Sequence, residues 1–166
     1  MMQITPNQLR LIKSFDNQHT RISIVTGPAG SGKTNWICKT AQKLYRQKRI
    51  DKVVITRPTV SVDEDIGYLP GTIDDKLYPW LVPIIDYLDD IPLYEQVSLG
   101  MLRGRTFKDS FIIADEMQNA TIEQMKMILT RLGENSYIGM TGDLLQSDID
   151  NNGLSDFITR LPNDKE

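Results

Sequence analysis

Eight consecutive residues carry the clearest chemistry in this chain: Gly27, Pro28, Ala29, Gly30, Ser31, Gly32, Lys33 and Thr34. They fit G-x-x-x-x-G-K-[ST], the spacing of a loop that cradles phosphates. The glycines let the backbone turn tightly and approach an anion, so that successive N–H groups and a helix N-terminus face it. Lys33 is the side chain to reach β- and γ-phosphates, and the Thr34 hydroxyl is the one to hold Mg²⁺. A nucleotide and Mg²⁺ are therefore the expected ligands. A phosphate loop alone hydrolyses nothing, and FIIADE supplies the carboxylates that hydrolysis needs. Its four apolar residues, 111–114, read as a strand that delivers Asp115 and Glu116 to the carboxyl edge of a sheet, where ligands bind in open α/β folds. Asp115 is placed to hold the Mg²⁺ hydration shell and Glu116 to orient or deprotonate the attacking water. TGDLLQSD, residues 141–148, repeats the arrangement and brings Thr141, Asp143 and Gln146 to the same edge. A glutamine there can sense a phosphate or position water, because its amide both donates and accepts. Gly142-Asp143 also favours a tight turn whatever the function.

The elements that must position these groups follow from pattern. Residues 22–26 form an apolar strand ahead of the loop, and residues 35–49 an amphipathic helix after it, with Ile37, Ala41 and Leu44 inward. Residues 5–15 read as a helix capped by Thr5, with Pro6 at its first position and Leu9, Ile12 and Phe15 on one face. Residues 52–56 are a short β-branched strand stopped by Pro58. Residues 59–76, with Gly67, Pro70 and Gly71, read as irregular, and 77–88 as a helix interrupted by Pro79 and Pro83. A helix over 120–132 capped by Asn119 or Thr121, a strand over 136–141 and a helix over 153–161 complete the order. Strands alternating with helices predict one α/β domain, 1–166, with a mostly parallel sheet covered on both faces and a loose tail after Pro162.

Bulk properties agree. The 166 residues suffice for one core, and 40% hydrophobic with 25% charged residues is an ordinary globular composition. No apolar run approaches membrane-spanning length and the first residues lack a signal-peptide profile, which points to a cytoplasmic protein without membrane contact. The single cysteine, Cys38, rules out an internal disulfide; its place on the helix after the loop suits a buried apolar role better than a reactive thiol. The lone His19 reads as a surface loop residue. A net charge of −3 argues against a salt-driven grip on nucleic acid over the whole surface but leaves room for a local patch. Basic residues gather over 43–57 and at Arg103, Arg105 and Lys108, and acidic ones over 63–65, 74–75 and 86–90. A solvated helix face accounts for the first group as well as a binding patch does.

Taken in order, GPAGSGKT, VVITRPTV, IGYLPGTIDDKLYPWLVPIIDYL, MLRGRTFKDSFIIADEMQNATIEQMKMILTRLG and TGDLLQSDI cover nearly the whole chain. This combination resembles the PhoH-like ATPases, which are similar to the core of superfamily 1 helicases. The LPG, RGRT, DExQN and TRLG elements are more specific than the phosphate loop. The resemblance implies a RecA-like P-loop NTPase fold, ATP binding and hydrolysis, and a role in RNA metabolism. It implies phosphate contacts from 27–34, metal and water roles for Asp115 and Glu116, and a sensor role for Gln146. Gln8 resembles the glutamine that reads adenine in the helicase relatives, though a helix-surface glutamine fits equally. Thr56-Arg57-Pro58 is similar to a helicase segment that touches single-stranded nucleic acid. Family members usually continue past 153–154 with further strand and helix, so the sheet here is expected to be short of an edge element.

The resemblance also bears on assembly. The helicase relatives place ATP between two RecA-like cores, and this chain has one. An arginine from a neighbouring copy would then act in trans, with Arg103 and Arg105 ranked ahead of Arg131. Head-to-tail contacts that close form rings, and a hexamer is the expected homo-oligomer. Tyr68, Tyr78, Trp80, Tyr87 and Tyr94 near basic residues could stack bases of RNA or single-stranded DNA, or cement a subdomain onto the sheet. The expected function is an ATP-driven motor or remodeller of RNA or single-stranded DNA. An ATP-dependent switch or assembly protein is the alternative, and a small-molecule kinase a more distant one.

Overall fold

Residues 53–55 and 111–114 are apolar at every position, and strand geometry sends alternate side chains to opposite faces. Val53, Ile55, Phe111 and Ile113 accordingly join one buried cluster, while Val54, Ile112 and Ala114 join another. A sheet buried on both faces needs helices on both, which the chain supplies.

A computed structural model describes residues 5–17, 19–58, 82–88 and 91–161. Its strands are β1 (Ile22–Thr26), β2 (Lys52–Thr56), β3 (Tyr94–Gln96), β4 (Ser110–Ala114) and β5 (Tyr137–Gly142). They form one sheet in the order β1-β5-β4-β2-β3, with every pairing parallel. The helices are α1 (Pro6–Ser14), α2 (Lys33–Arg46), α3 (Ile122–Leu129) and α4 (Gly153–Arg160). One core cluster holds Leu11 and Phe15 of α1 with Ile37, Ala41 and Leu44 of α2; the other holds Met125 and Ile128 of α3 with Leu154 of α4. The α/β class, the parallel sheet and the two helical layers are as expected. The phosphate-loop strand β1 lies at one edge, bonded among the described residues only to β5.

Three local differences have physical causes. Thr121, and not Asn119, caps α3, through a reciprocal box in which Thr121 Oγ1 accepts from Gln124 N and Gln124 Oε1 accepts from Thr121 N. Leu9, expected on the inward face of α1, is 42% exposed, and Leu11 and Phe15 carry the buried stripe instead. Phe15 meets Phe111 and Tyr137 edge-on, with ring centroids 5.5 and 5.6 Å away. β3 has no counterpart in the sequence reading: three residues, Tyr-Glu-Gln, show too little alternation to register. The segment 59–76, residues 77–81, the aromatics Tyr68, Tyr78 and Trp80, and the tail after Pro162 lie outside the described residues, whereas 82–85 are helical as expected.

A close helix–sheet contact falls at Gly139 in β5. A Cβ there would lie 2.8 Å from Ile37 Cδ1 and 2.9 Å from Phe111 Cζ. Gly139→Ala is therefore expected to cost roughly 1–3 kcal/mol through overpacking. Urea unfolding should show a lower midpoint at unchanged slope.

Candidate nucleotide-binding and hydrolytic site

The loop between β1 and α2 is built to present backbone N–H groups. Gly30 and Gly32 take φ of 75° and 79°, a region that glycine adopts without strain. Gly32 is the N-cap of α2 and makes no capping hydrogen bond from a side chain. Helices α1, α3 and α4 do carry such caps, from Thr5, Thr121 and Asn152. The first-turn amides of α2 are thus left for an outside acceptor, and a phosphate is the acceptor that suits them. Lys33, almost fully buried, donates from Nζ to its own loop at Gly27 O (2.7 Å) and Pro28 O (2.9 Å). The ammonium is held over the loop by contacts that phosphate oxygens can replace.

Parallel strands bring the carboxylates to the same edge. Asp115 follows β4 directly and is 6% exposed. Thr34 Oγ1 donates to Asp115 Oδ1 at 2.8 Å, and Thr141 Oγ1 donates to the same oxygen at 2.5 Å. Thr141 also accepts the Glu116 N–H at 3.2 Å. Gly27 N donates to Gly142 O at 3.2 Å, tying the start of the loop to the end of β5. Loop, carboxylate pair and β5 terminus form one hydrogen-bonded unit. Hydroxyl and carboxylate oxygens are the donors a hard divalent cation takes, so Thr34 and Asp115 fit Mg²⁺. No cluster of three or more His, Cys, Asp or Glu side chains converges among the described residues.

Glu116 sits at φ 55°, ψ 39°, a left-handed conformation costly for a residue with a Cβ. Its carboxylate accepts a 2.5 Å hydrogen bond from Gln118 Nε2. Gln146 lies in the exposed turn after β5, with its N–H on Asp143 O. The sequence reading assigned Gln118 no role. Its only signal was its place in DExQN, two residues past Glu116 and thus within side-chain reach.

A cleft of about 490 Å³ runs from the loop to α1, with Gln8, Arg10, Val25, Lys33 and Trp36 among its lining residues. Gln8 lines this cleft from a helix surface. Its Oε1 accepts from Thr5 N at 2.9 Å in the cap of α1. Only its Nε2 end remains to read a base.

The arginines are not brought to the phosphate loop within one chain. Arg103 and Arg105 lie in the connection from β3 to β4, and β3 is the edge strand on the far side of the sheet from β1 and its loop. Arg103 is exposed. Arg105 pairs with Glu95 at 2.6 Å and stacks on Phe107, its guanidinium 4.7 Å from the ring centroid. Burial pushes the Glu95 carboxyl up, but hydrogen bonds and charge from Arg105 and Lys52 outweigh it and hold the group below its ordinary value. Arg131 donates to the carbonyls of Met127 and Arg105. His19 is exposed; Tyr87 and Tyr94 are exposed as well, at 45% and 39%.

A parallel sheet with a phosphate loop after its first strand, meeting a carboxylate pair at one edge, defines a nucleotide-binding protein of the P-loop NTPase class. The family model described as PhoH-like protein matches residues 1–166. The chain belongs to this family. It is 41% identical over 157 residues to a PhoH-like protein of Mycobacterium leprae (strain TN), covering 87% of this chain and 44% of that one. It is 38% identical over 177 residues to Protein PhoH of Escherichia coli (strain K12), covering 95% and 49%. A PhoH-like protein of Bacillus subtilis (strain 168) is 40% identical over 135 residues, covering 74% and 42%. The chain thus spans a little under half the length of these relatives. Among solved structures, the Pif1 helicase from Candida albicans matches 88% of this chain and 34% of its own, with TM-score 0.45 and 17% identity. No helix among the described residues is long and apolar enough to cross a membrane.

Cys38, on the buried face of α2, reports on how tightly the site packs. Burial pushes its thiol from 9.0 up to about 12, and the nearby Asp115 charge adds to the shift. The thiolate is the reactive form, so native protein at pH 8 is expected to leave Ellman's reagent unreacted over minutes. Unfolding in guanidinium should release one thiol per chain.

Proposed function

We propose that this chain binds ATP with Mg²⁺ and hydrolyses it, and that RNA or single-stranded DNA is acted on or regulates the turnover. The observation that carries the reading is the 2.8 Å hydrogen bond between Thr34 and Asp115. It joins the phosphate loop to a carboxylate pair whose second member, Glu116, would take the attacking water. The loop amides and Lys33 bind the polyphosphate, and Thr34 and Asp115 hold the metal. When bound, Mg²⁺ neutralises charge on the phosphate oxygens. Glu116 orients the attacking water and accepts its proton, with Gln146 offering an amide to the same region. Gln8 and the cleft beside it take the base.

Efficient turnover needs a positive charge opposite the loop, and Arg103 of a neighbouring copy is the leading candidate. Its exposure and its place in the connection after β3, across the sheet from β1, support a head-to-tail ring, for which six copies is the favoured number. Arg105, already paired with Glu95, ranks second. Residues 1–166 are read as one domain of this kind in a cytoplasmic protein.

ATPase assays test the reading directly. Glu116→Gln is expected to lower turnover about 10²- to 10⁴-fold while ATP binding persists; full turnover would remove the role given to Glu116. RNA or single-stranded DNA should raise the wild-type rate, and indifference across a salt series would favour a nucleotide-driven switch. Arg103→Ala and Lys33→Ala chains, each inactive alone, should recover turnover when mixed, because a mixed ring pairs an intact loop with an intact arginine. A mixture as inactive as its parts would overturn the assignment in trans.

A further inference from the structure

Gln118 is an uncharged residue in the most polar corner of the molecule, and it is 3% exposed. It lies in a 3-10 turn, Met117–Asn119, immediately after Glu116. Both ends of its amide are used. Nε2 donates to Glu116 Oε2 at 2.5 Å, and Oε1 accepts the Asp143 N–H at 3.1 Å. Its main-chain oxygen accepts from Ser147 Oγ at 3.0 Å. One residue therefore grips the 143–147 turn at both ends and the Glu116 carboxylate between them. That turn carries Gln146.

The surrounding chain makes room for this arrangement. A Cβ at Gly142 would lie 3.2 Å from Gln118 Oε1 and 2.4 Å from Leu154 Cδ2, so the close approach of Gln118 to β5 depends on glycine there. Glu116 needs an external hold, since its backbone is left-handed. Three hydrogen bonds supply it: from its N–H to Thr141 Oγ1, from Asn119 N to its carbonyl, and from Gln118 to its carboxylate. Only the last fixes the side chain.

We infer that Gln118 is a positioning residue that couples the Gln146 turn to Glu116, so that a phosphate sensed at the turn sets the aim of the carboxylate. The inference rests on the hydrolytic reading above. An amide suits the task because it must donate to an anion at one end and accept from an N–H at the other. A carboxylate could not donate, and a hydrocarbon could do neither.

Two variants separate the two halves. Gln118→Met keeps the shape and loses both hydrogen bonds. Gln118→Glu keeps the acceptor for Asp143 and loses the donor to Glu116. Both are expected to lower turnover by roughly 10- to 100-fold, the scale of a misaimed catalytic group, with the Kd of a non-hydrolysable ATP analogue unchanged within about twofold. Hydrogen exchange should differ between them: the Asp143 amide speeds up in Gln118→Met and stays protected in Gln118→Glu. In wild type the analogue should slow exchange both over 143–147 and over 116–119. In Gln118→Met the first effect should survive and the second should vanish.

Wild-type turnover in Gln118→Glu would overturn the inference, as would retained protection of 116–119 in Gln118→Met. Turnover lost only in proportion to nucleotide affinity or melting temperature would reduce Gln118 to a structural role and overturn it too. The failures are distinguishable: a fully active Glu116→Gln strikes the hydrolytic reading, whereas an inactive Glu116→Gln beside a fully active Gln118→Glu strikes only the coupling.

Discussion

Three separate segments end on one carboxylate oxygen. Asp115 Oδ1 accepts from Thr34, at the start of α2, and from Thr141, near the end of β5, while its own chain arrives through β4. Fixing that point fixes the distances from loop to carboxylate pair and from carboxylate pair to sensor turn. The hold is made entirely by neutral hydroxyls. Among the described residues no lysine or arginine forms an ion pair with Asp115, although it is nearly buried. A buried carboxylate without a counter-charge is costly. A cation beside Thr34 would offset that cost, and the parallel sheet supplies the rigidity that holds the corner in place.

The same geometry explains why Glu116 takes a left-handed backbone. Asp115 must face the loop and Met117 must enter the core, where it is fully buried. The chain has to reverse its side-chain direction within one residue, and Glu116 absorbs the turn. Strain of about 1–3 kcal/mol at such a residue persists only where the surroundings over-determine it. Here they do, through Thr141, Asn119 and Gln118.

Much of this was legible in the sequence, and for a consistent reason. Signals that depend on spacing along the chain came through: the phosphate loop, the apolar run of β4 ending in Asp115 and Glu116, and the caps at Thr5 and Thr121. Signals that depend on what lies across the fold did not. Nothing in the spacing says that two hydroxyls converge on one oxygen of Asp115, or that Gln118 spans from one strand end to the next. Leu9 misled because residues 9, 12 and 15 keep helical spacing, yet Leu11 and Phe15 define the stripe that meets α2 and the sheet. β3 was missed because an edge strand of three residues carries almost no periodicity.

The start of α2 shows how function is written into local stability. A helix that begins with an uncapped glycine and a lysine in its first turn gives up about 1 kcal/mol of capping. It gives up roughly 0.3–1 kcal/mol more by placing a cation at the positive end of the helix dipole. Packing must hold the helix in spite of that. Ile37 and Leu44 alone, each essentially fully buried, contribute about 1.5–3 kcal/mol apiece, with Cys38 and Ala41 filling the space between them. The offset comes from the far side of the helix because the near side cannot supply it. Any side chain that capped α2 would compete with phosphate for the same amides, and any acidic residue that complemented its dipole would repel the anion the loop is shaped to hold.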